Sequence, residues 1–327
     1  MVCMALILDK NAVRESLPMK EAISAVEDGF RLIKTAVVPQ RLPIKIERYN
    51  AVFLYMPAYV GGVDALVVKE VSVHPDNLQK GLPTVRGTVL LNNPSDGSLL
   101  AILDGGSLTA IRTGATTGVA TKYLARRDAT NLGMFGCGAQ AKTQLEAVAC
   151  VRGIRRAKVY DINHAAARDF AVEMSRSLGI DVQVKESPEE ILKGADIIVT
   201  ATTSRTPVFN GSSVEPGTHI NGIGSHTPDA REIDTDTIKR SRLIVDSRDA
   251  CLREAGDIII PIGEGAITER HIKADLGEVV RGECEGRTSD EEITVFKSVG
   301  LALEDAVAAL RAYKIAMEKG LGKKIEF

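Results

Sequence analysis

The sequence predicts an α/β protein, a doubly wound parallel sheet joined to a second, α+β domain drawn from both ends of the chain. Three observations carry this. At 327 residues the chain is longer than the roughly 250–300 residues at which a single hydrophobic core stops growing, so two domains are expected. From residue 131 onward, short apolar runs alternate with helix-spaced segments, and that βαβ order builds a parallel sheet covered by helices. Before residue 104, several short strand-like runs follow one another with few helices between them, the pattern of an antiparallel sheet. We place the boundaries at 1–118 with 301–327 for one domain and 119–300 for the other.

The elements follow in order. Met1 to Leu8 is apolar but short, and it lacks the basic start of a signal peptide, so it reads as a first strand. Pro18 to Lys34 carries apolar residues at 19, 22, 23, 26, 30 and 33, a helical spacing with proline near the first turn. Strands are expected at Ile44–Arg48, Val52–Met56, Ala65–Val73, Thr88–Leu91 and Leu99–Leu103, with a turn at Asn92-Asn93-Pro94-Ser95-Asp96-Gly97 before the last. Ser107 to Arg126 is rich in Ala, Thr and Gly and predicts a helix built for close approach. The alternation then runs through 131–136, 138–152, 157–161, 163–178, 181–184, 187–194 and 196–201, with further strands at Thr218–Gly224 and Leu243–Ser247. Ser187-Pro188-Glu189-Glu190 has the form of a capping box with proline at the first helical position. Leu301 to Lys319 is an amphipathic helix; we assign it to the N-terminal domain, because the 119–300 domain already has its helices.

Composition bounds the function. Hydrophobic residues make up 44% and charged residues 26% of the chain, the balance of a soluble globular protein. A net charge of −2 leaves no basic field for nucleic acid. No apolar run approaches the ~18 residues that would mark a membrane span, so no membrane partner is expected. The five cysteines, at 3, 137, 150, 251 and 284, form no CxxC pair, which points to reduced thiols in a cytoplasm and to no metal site.

The stretch Asn131-Leu132-Gly133-Met134-Phe135-Gly136-Cys137-Gly138-Ala139-Gln140-Ala141, answered by Lys158-Val159-Tyr160-Asp161, carries the strongest chemical signal. Gly136 permits a tight turn, Gly138 lets backbone approach a pyrophosphate, and Ala141 keeps the helix close to the strand. The helix N-terminus offers N–H groups to phosphates. Asp161, 25 residues after Gly136, stands near where an acid accepts bonds from an adenosine ribose. Strand, glycine turn, helix, strand and acid in this order predict a Rossmann-type dinucleotide site. An ordinary βα turn and a methyltransferase-type nucleotide site are the competing readings. Cys137 reads as a small filler, though its place at a helix start would acidify a thiol.

An enzyme that uses a nicotinamide on an amino or imino acid must hold a carboxylate and manage one proton. Arg41, Lys69 and Arg112 are the cations to consider. Lys69 lies within a β-branched run, where burial is costly without a partner, and Glu70 points to the other face of the strand. An anionic ligand is one solution. Arg112, near the start of a small-residue helix, is placed to offer its fork to a carboxylate or to cofactor phosphates. The second informative stretch is 218–232, where a strand ends in glycines and gives a loop with His226, Asp229 and Arg231. In a parallel sheet that loop lies at the carboxyl edge, where ligands bind. His226 or Asp229 is the candidate proton donor; a polar turn with Asp229 and Arg231 paired on the surface is the plainer alternative. His74, His164, His219 and His271 read as structural. Ala201-Thr202-Thr203-Ser204 ends another strand, facing the nicotinamide.

Taken together, the chain resembles the ornithine cyclodeaminase/mu-crystallin family along nearly its full length. The matching stretches are Met56-Pro57-Ala58, Lys69 with His74-Pro75, Gly81-Leu82-Pro83-Thr84, Arg112-Thr113-Gly114-Ala115, the 136–141 glycine turn, Gly217-Thr218-His219-Ile220-Asn221, and 289–296 ending in Val295-Phe296. That family contains proline-forming cyclodeaminases, archaeal-type alanine dehydrogenases, cyclic ketimine reductases and mu-crystallin. The resemblance implies a Rossmann-type domain, plus a substrate-binding and dimerisation domain made from both termini, in a homodimer. It implies that Arg41, Lys69 and Arg112 grip a substrate carboxylate. It places Thr84, Ala139, Gln140, Asp161 and Thr202 at the cofactor, beside Gly136 and Gly138, and Val295 near the substrate side chain. One departure bears on the acid. In ornithine-converting members, the second residue after the glycine matching Gly224 is an aspartate; here it is His226, with Asp229 three places on. Lys69 is the third candidate for the proton. Asp161 would repel a 2′-phosphate, so NAD is expected; Asn163, His164 and Arg168 leave NADP open.

The leading expectation is therefore an NAD(P)-dependent oxidoreductase that interconverts a small α-amino acid and its imino or keto acid, of the alanine dehydrogenase or pyrroline-2-carboxylate reductase type. The alternative is an ornithine cyclodeaminase, a lyase that uses NAD catalytically. The third is a mu-crystallin-like binding protein.

Overall fold

The structure, a computed structural model, describes residues 4–326. The chain forms two units, Met1–Ala115 with Leu301–Phe327, and Thr116–Gly300. The first begins with β1 (Met4–Leu8), α1 (Lys10–Ser16), α2 (Met19–Leu32), β2 (Ala36–Val37), β3 (Leu42–Ile46), β4 (Ala51–Val60), β5 (Ala65–Val73), β6 (Val85–Asn92) and β7 (Leu99–Asp104). The unit boundary falls within α3 (Gly105–Leu124). The second unit holds β8 (Asn131–Phe135), α4 (Ala141–Val151), β9 (Arg156–Tyr160), α5 (His164–Leu178), β10 (Asp181–Val184), α6 (Pro188–Leu192), β11 (Ile197–Thr200), β12 (His219–Gly222), α7 (Thr235–Arg240), β13 (Arg242–Val245), α8 (Arg248–Glu254), α9 (Gly256–Gly263), β14 (Ile272–Asp275), α10 (Leu276–Val280) and β15 (Thr294–Lys297). The chain then returns to the first unit with α11 (Ala302–Lys319) and β16 (Lys323–Glu326).

The first unit's sheet runs β16-β1-β7-β6-β5-β4-β2, with β3 also on β4. Its pairings are antiparallel except β1 on β7, which is parallel. One face packs on helices. In β5, Ala65, Val67 and Lys69 are buried while Val68 between them is exposed, the period-two alternation of a half-covered strand. α11 packs against α1, α2, β4 and β5. Its buried face is mostly alanine, and at Gly29 of α2 a Cβ would already lie 3.0 Å from Val307. Small residues on both helices permit that approach.

In the second unit every strand pairing is parallel, in the order β10-β9-β8-β11-β12-β15-β13-β14. The chain winds outward from β8 through β9 to β10, then restarts on the other side at β11. The reversal lies between β8 and β11, the topological switch point at whose carboxyl ends doubly wound sheets bind ligands.

Several boundaries differ from the sequence expectation. Ile44–Arg48 is displaced to Leu42–Ile46, followed by a 3-10 turn at Glu47–Tyr49. β4 and β6 extend well beyond Val52–Met56 and Thr88–Leu91. Helices α1 and α7–α10 and the strands at Ala36–Val37, Ile272–Asp275 and Thr294–Lys297 were not expected; most are short, with too few residues to show a period. Ser187 makes no capping bond, and Glu190 accepts instead from the Glu186 N–H. Of the first expected strand, residues 1–3, with Cys3, lie outside the described residues. Among the described residues, no helix is long and apolar enough to cross a membrane.

Candidate functional site

The glycine turn follows β8. Gly136 has φ +92°, and a Cβ there would sit 2.6 Å from the Ala201 carbonyl, so only glycine fits. The turn is held from the next strand's end. The Gly136 N–H donates to the Tyr160 carbonyl at 2.9 Å and the Cys137 N–H to Asp161 Oδ2 at 2.8 Å. Asp161 Oδ1 accepts from the Asn163 N–H at 2.8 Å. Asp161 thus shapes the loop as well as standing where an acid would meet a ribose. Gly138 and Ala139 are exposed, and a Cβ on Gly138 would meet no protein atom within 4 Å. Packing within the protein does not require glycine there. Gln140 Oε1 is buried with no hydrogen-bond partner, as are both polar atoms of Gln144. A Rossmann-type turn with open space at Gly138 and an eleven-residue helix behind it fit a dinucleotide pyrophosphate. Cys137 is buried in the turn, as a small filler would be; burial, then the neighbouring Asp161 carboxylate, push its thiol up to about 12. The helix start does not acidify it.

Beyond β11, Thr202 donates from both its N–H and its hydroxyl to Glu232 Oε1, at 2.6 and 2.7 Å. Beyond β12, the Gly224 N–H donates to Glu232 Oε2 at 2.7 Å. His226 and Asp229 lie on the exposed loop that follows. His226 Nδ1 stands 3.1 Å from the Gly224 carbonyl. Asp229 pairs with Arg205, not Arg231, and hydrogen bonds from Arg205 and Thr227 hold its carboxyl below the usual range. Arg231 pairs with Glu264 instead. An ionised, arginine-bound Asp229 is a poor proton donor. Val295 is fully buried in β15, between Ile220 and Leu243, and presents no surface to a substrate side chain. His219 is buried between Thr294 and Asn221; burial and the Arg287 charge take it down to about 3, so it is a neutral structural histidine.

The first unit holds a different constellation. Lys69 on β5 is 1% exposed, and its Nζ lies 2.6 Å from Asp305 Oδ2. Arg112 Nε donates to Asp305 Oδ1 at 2.9 Å and its Nη1 to Glu304 Oε2 at 2.5 Å. Glu304 Oε1 also accepts from the Leu301 N–H at 3.2 Å, capping α11, where acidic groups are favoured by the helix dipole. Asp305 is thus an internal partner for Lys69, so its burial does not by itself require an external anion. The Arg112 fork likewise engages the protein's own carboxylates. Burial, then the Arg112 charge, draw the Lys69 ammonium down from 10.5 to about 8, against Asp305 and Glu304. Burial also acts to lower Arg112, but Asp305 and Glu304 override it and hold the guanidinium above its ordinary value. Arg41 lies half-buried just before β3. Thr84 stands before β6, its carbonyl accepting from the His74 N–H at 2.7 Å.

Sequence reasoning missed Glu304, Asp305 and Glu232. The first two had a signal, adjacent acids in the first turn of a helix assigned to the N-terminal domain. Glu232 had none beyond lying in the noted loop.

The chain's relatives agree with this architecture. Residues 4–320 match the model of the ornithine cyclodeaminase/mu-crystallin family. A Delta(1)-pyrroline-2-carboxylate reductase of Bacillus cereus is 41% identical over 327 residues, covering 98% of this chain and 100% of that one. The structure of Thermococcus litoralis Delta(1)-pyrroline-2-carboxylate reductase in complex with NADH and L-proline is similar at 48% identity and a TM-score of 0.95, covering 98% of this chain and 100% of that one. An archaeal alanine dehydrogenase dimer with bound NAD is similar at 39% identity and a TM-score of 0.92, covering 99% of each chain. The chain belongs to the ornithine cyclodeaminase/mu-crystallin family.

Proposed function

We propose that this chain, an NAD-dependent oxidoreductase, reduces a small cyclic α-imino acid of the pyrroline-2-carboxylate kind to the amino acid. The observation that carries the reading is the buried Lys69, fixed by Asp305 and titrating near 8. It supplies both things the substrate demands. Its ammonium attracts the carboxylate, with Arg112 and Arg41 as the further cations. Its proton is also available near neutral pH, whereas Asp229 is committed to Arg205. Catalytic groups are most effective when their pKa lies near the working pH. Of the three candidate acids, Lys69 is the best supported.

When bound, NADH supplies the hydride that adds to the imine carbon. The residues of this chain orient and protonate. Gly136, Gly138, Ala139 and Gln140 form the pyrophosphate turn. Asp161 takes the adenosine ribose and disfavours a 2′-phosphate. Thr202 bounds the nicotinamide side at the switch point, and Thr84 belongs with the cofactor contacts. Holding the carboxylate fixes the imine carbon in one orientation, which is mostly entropic work. One proton completes the amine, so the balance is imino acid, NADH and a proton in, amino acid and NAD⁺ out.

The relatives support the cyclic imine reading at 48% identity and an alanine-directed one at 39%. The deciding assay follows NADH absorbance with pyrroline-2-carboxylate, with pyruvate plus ammonia, and with L-ornithine. NADH consumption with the cyclic imine far above that with pyruvate is expected. The reverse ranking makes the chain an alanine dehydrogenase. Proline from ornithine with flat absorbance makes it a cyclodeaminase.

We also read the protein as a homodimer. Leu42 and Ile44 on β3, Val68 on β5 and Leu90 on β6 leave apolar side chains exposed on the first unit's sheet, and contiguous exposed apolar surface marks an interaction site. Light scattering of the wild type and of Val68→Glu tests this; a dimer that the substitution weakens is expected.

A further inference from the structure

We propose that Glu232 is a positioning residue for the nicotinamide half of the cofactor site, tying the carboxyl ends of β11 and β12 together. The proposal rests on the cofactor reading above. Glu232 is completely buried, yet its carboxylate makes no direct ion pair among the described contacts. Its charge is met by five donors. Oε1 accepts from the Thr202 N–H and hydroxyl at 2.6 and 2.7 Å. Oε2 accepts from the Thr200 hydroxyl at 2.9 Å, the Gly224 N–H at 2.7 Å and the Ser225 N–H at 3.3 Å. All five come from the ends of two adjacent strands. These ends approach so closely that a Cβ on Gly224 would run into the Thr202 carbonyl and Glu232 itself.

The clamp is itself anchored. Glu232 and Ile233 donate their N–H groups to Asp257 Oδ1, both at 2.8 Å. Asp257 Oδ2 pairs with Lys297 at 2.9 Å, and Lys297 Nζ donates to the Ser225 carbonyl at 2.6 Å, closing a ring back to Glu232. Thr202 also lies beside the glycine turn, since a Cβ added at Gly136 would come within 3.0 Å of its Cγ2. The carboxylate therefore sets the edge that begins beside the switch point, on the side away from Asp161 and the ribose.

The chemistry makes an unusually sharp variant. Each carboxylate oxygen accepts from a backbone N–H, which cannot reverse its role. Glu232→Gln keeps size and shape, but either orientation of its amide sets an NH₂ against a backbone N–H. Thr200→Val is milder, removing one hydroxyl donor from a strand position that suits valine.

The experiment compares NADH with ADP-ribose, which lacks nicotinamide, by calorimetry on wild type, Glu232→Gln and Thr200→Val. Alongside it run turnover assays with stereospecifically deuterated NADH and amide exchange of the ligand-free proteins. Loss of orientation of about 1 Å costs on the order of a hundredfold in turnover, and that is the expected loss for Glu232→Gln. NADH should bind at least severalfold weaker, with ADP-ribose unchanged, deuteride transfer less stereospecific, and exchange faster at 200–206 and 222–230 alone. Thr200→Val should move each readout the same way by less. Equal loss of NADH and ADP-ribose, or faster exchange with normal turnover and stereospecificity, overturns the assignment. Wild type failing to bind NADH sinks the cofactor reading; wild type binding while Glu232→Gln turns over normally sinks only the clamp.

Discussion

The two units satisfy the charge at their candidate-site residues in different ways. In the first, Lys69 and Arg112 meet Asp305 and Glu304, charge against charge, with Arg112 and Asp305 193 residues apart in the chain. In the second, Asp161 and Glu232 are met largely by N–H and O–H donors that belong to the turns they hold. The donors around Asp161 and Glu232 are neutral N–H and O–H groups. The first unit's cluster rests on an ammonium drawn down to about 8. Shape is held where a cofactor common to many enzymes would bind. A titratable ammonium is held at the residue proposed to supply the proton.

The largest effect should come from breaking the ion cluster. Asp305→Asn leaves Lys69 facing an amide and weakens the hold on Arg112. Removing one partner of a buried pair costs about 3–5 kcal/mol, because it strands the other charge. Peptide-resolved amide exchange should show that loss in β5, α11 and the strands around them, with 131–200 unaffected. Uniform loss over both units would mean that the cluster holds the whole chain rather than one unit.

Next come the two glycines of the turn, which separate strain from ligand room. Gly136→Ala forces an alanine to φ +92° against the Ala201 carbonyl, a strain of about 1–3 kcal/mol that should weaken NADH about tenfold or more and lower the melting temperature. Gly138→Ala meets no protein atom within 4 Å, so melting should stay put while NADH affinity still falls. If Gly138→Ala binds NADH normally, the pyrophosphate does not pass there.

The same contrast decides what was legible in the sequence. The glycine turn, Asp161 and the strand ends were readable because the residues lie close in the chain and each must take one conformation. The ion cluster was half-readable. Lys69 in a β-branched run announced a buried charge, but its partner lay on a helix more than two hundred residues away, so an external anion stood in for it. Val295, placed near the substrate side chain, is instead fully buried. A short strand inserted between β12 and β13 has no period to show that it is core, and resemblance alone gave it a ligand. His219 was read as structural, and it lies buried between Thr294 and Asn221.

A smaller, pH-dependent effect sharpens the comparison. Lys69 is lowered from 10.5 to about 8 in the folded chain, so between those values the unfolded chain holds the extra proton, and stability should rise with pH. Activity should do the reverse: an ammonium that grips a carboxylate and donates a proton is present below about pH 8 and lost above it. Urea midpoints and kcat/KM measured from pH 6 to 10 should therefore cross. Lys69→Met should remove both trends. An alkaline limb that survives in Lys69→Met belongs to another group.

The smallest effect is expected at Asp229, and that is what makes it decisive for the acid. Its carboxylate is exposed and paired with Arg205, and hydrogen bonds from Arg205 and Thr227 keep it ionised. An acid that must donate near neutral pH is not held this way. Asp229→Asn should then leave kcat within a fewfold of wild type, since exposed ion pairs contribute little. Arg205→Ala supplies the control. If Asp229 were the donor restrained by its arginine, freeing it would raise its pKa and extend the alkaline side of the rate profile, and Asp229→Asn would abolish the gain. If Lys69 is the donor, Arg205→Ala leaves the alkaline limb near pH 8, where Lys69 puts it. A hundredfold loss in Asp229→Asn would instead mean that Asp229 leaves Arg205 in the working enzyme, and the proton would then come from the second unit's loop rather than from the first unit's sheet.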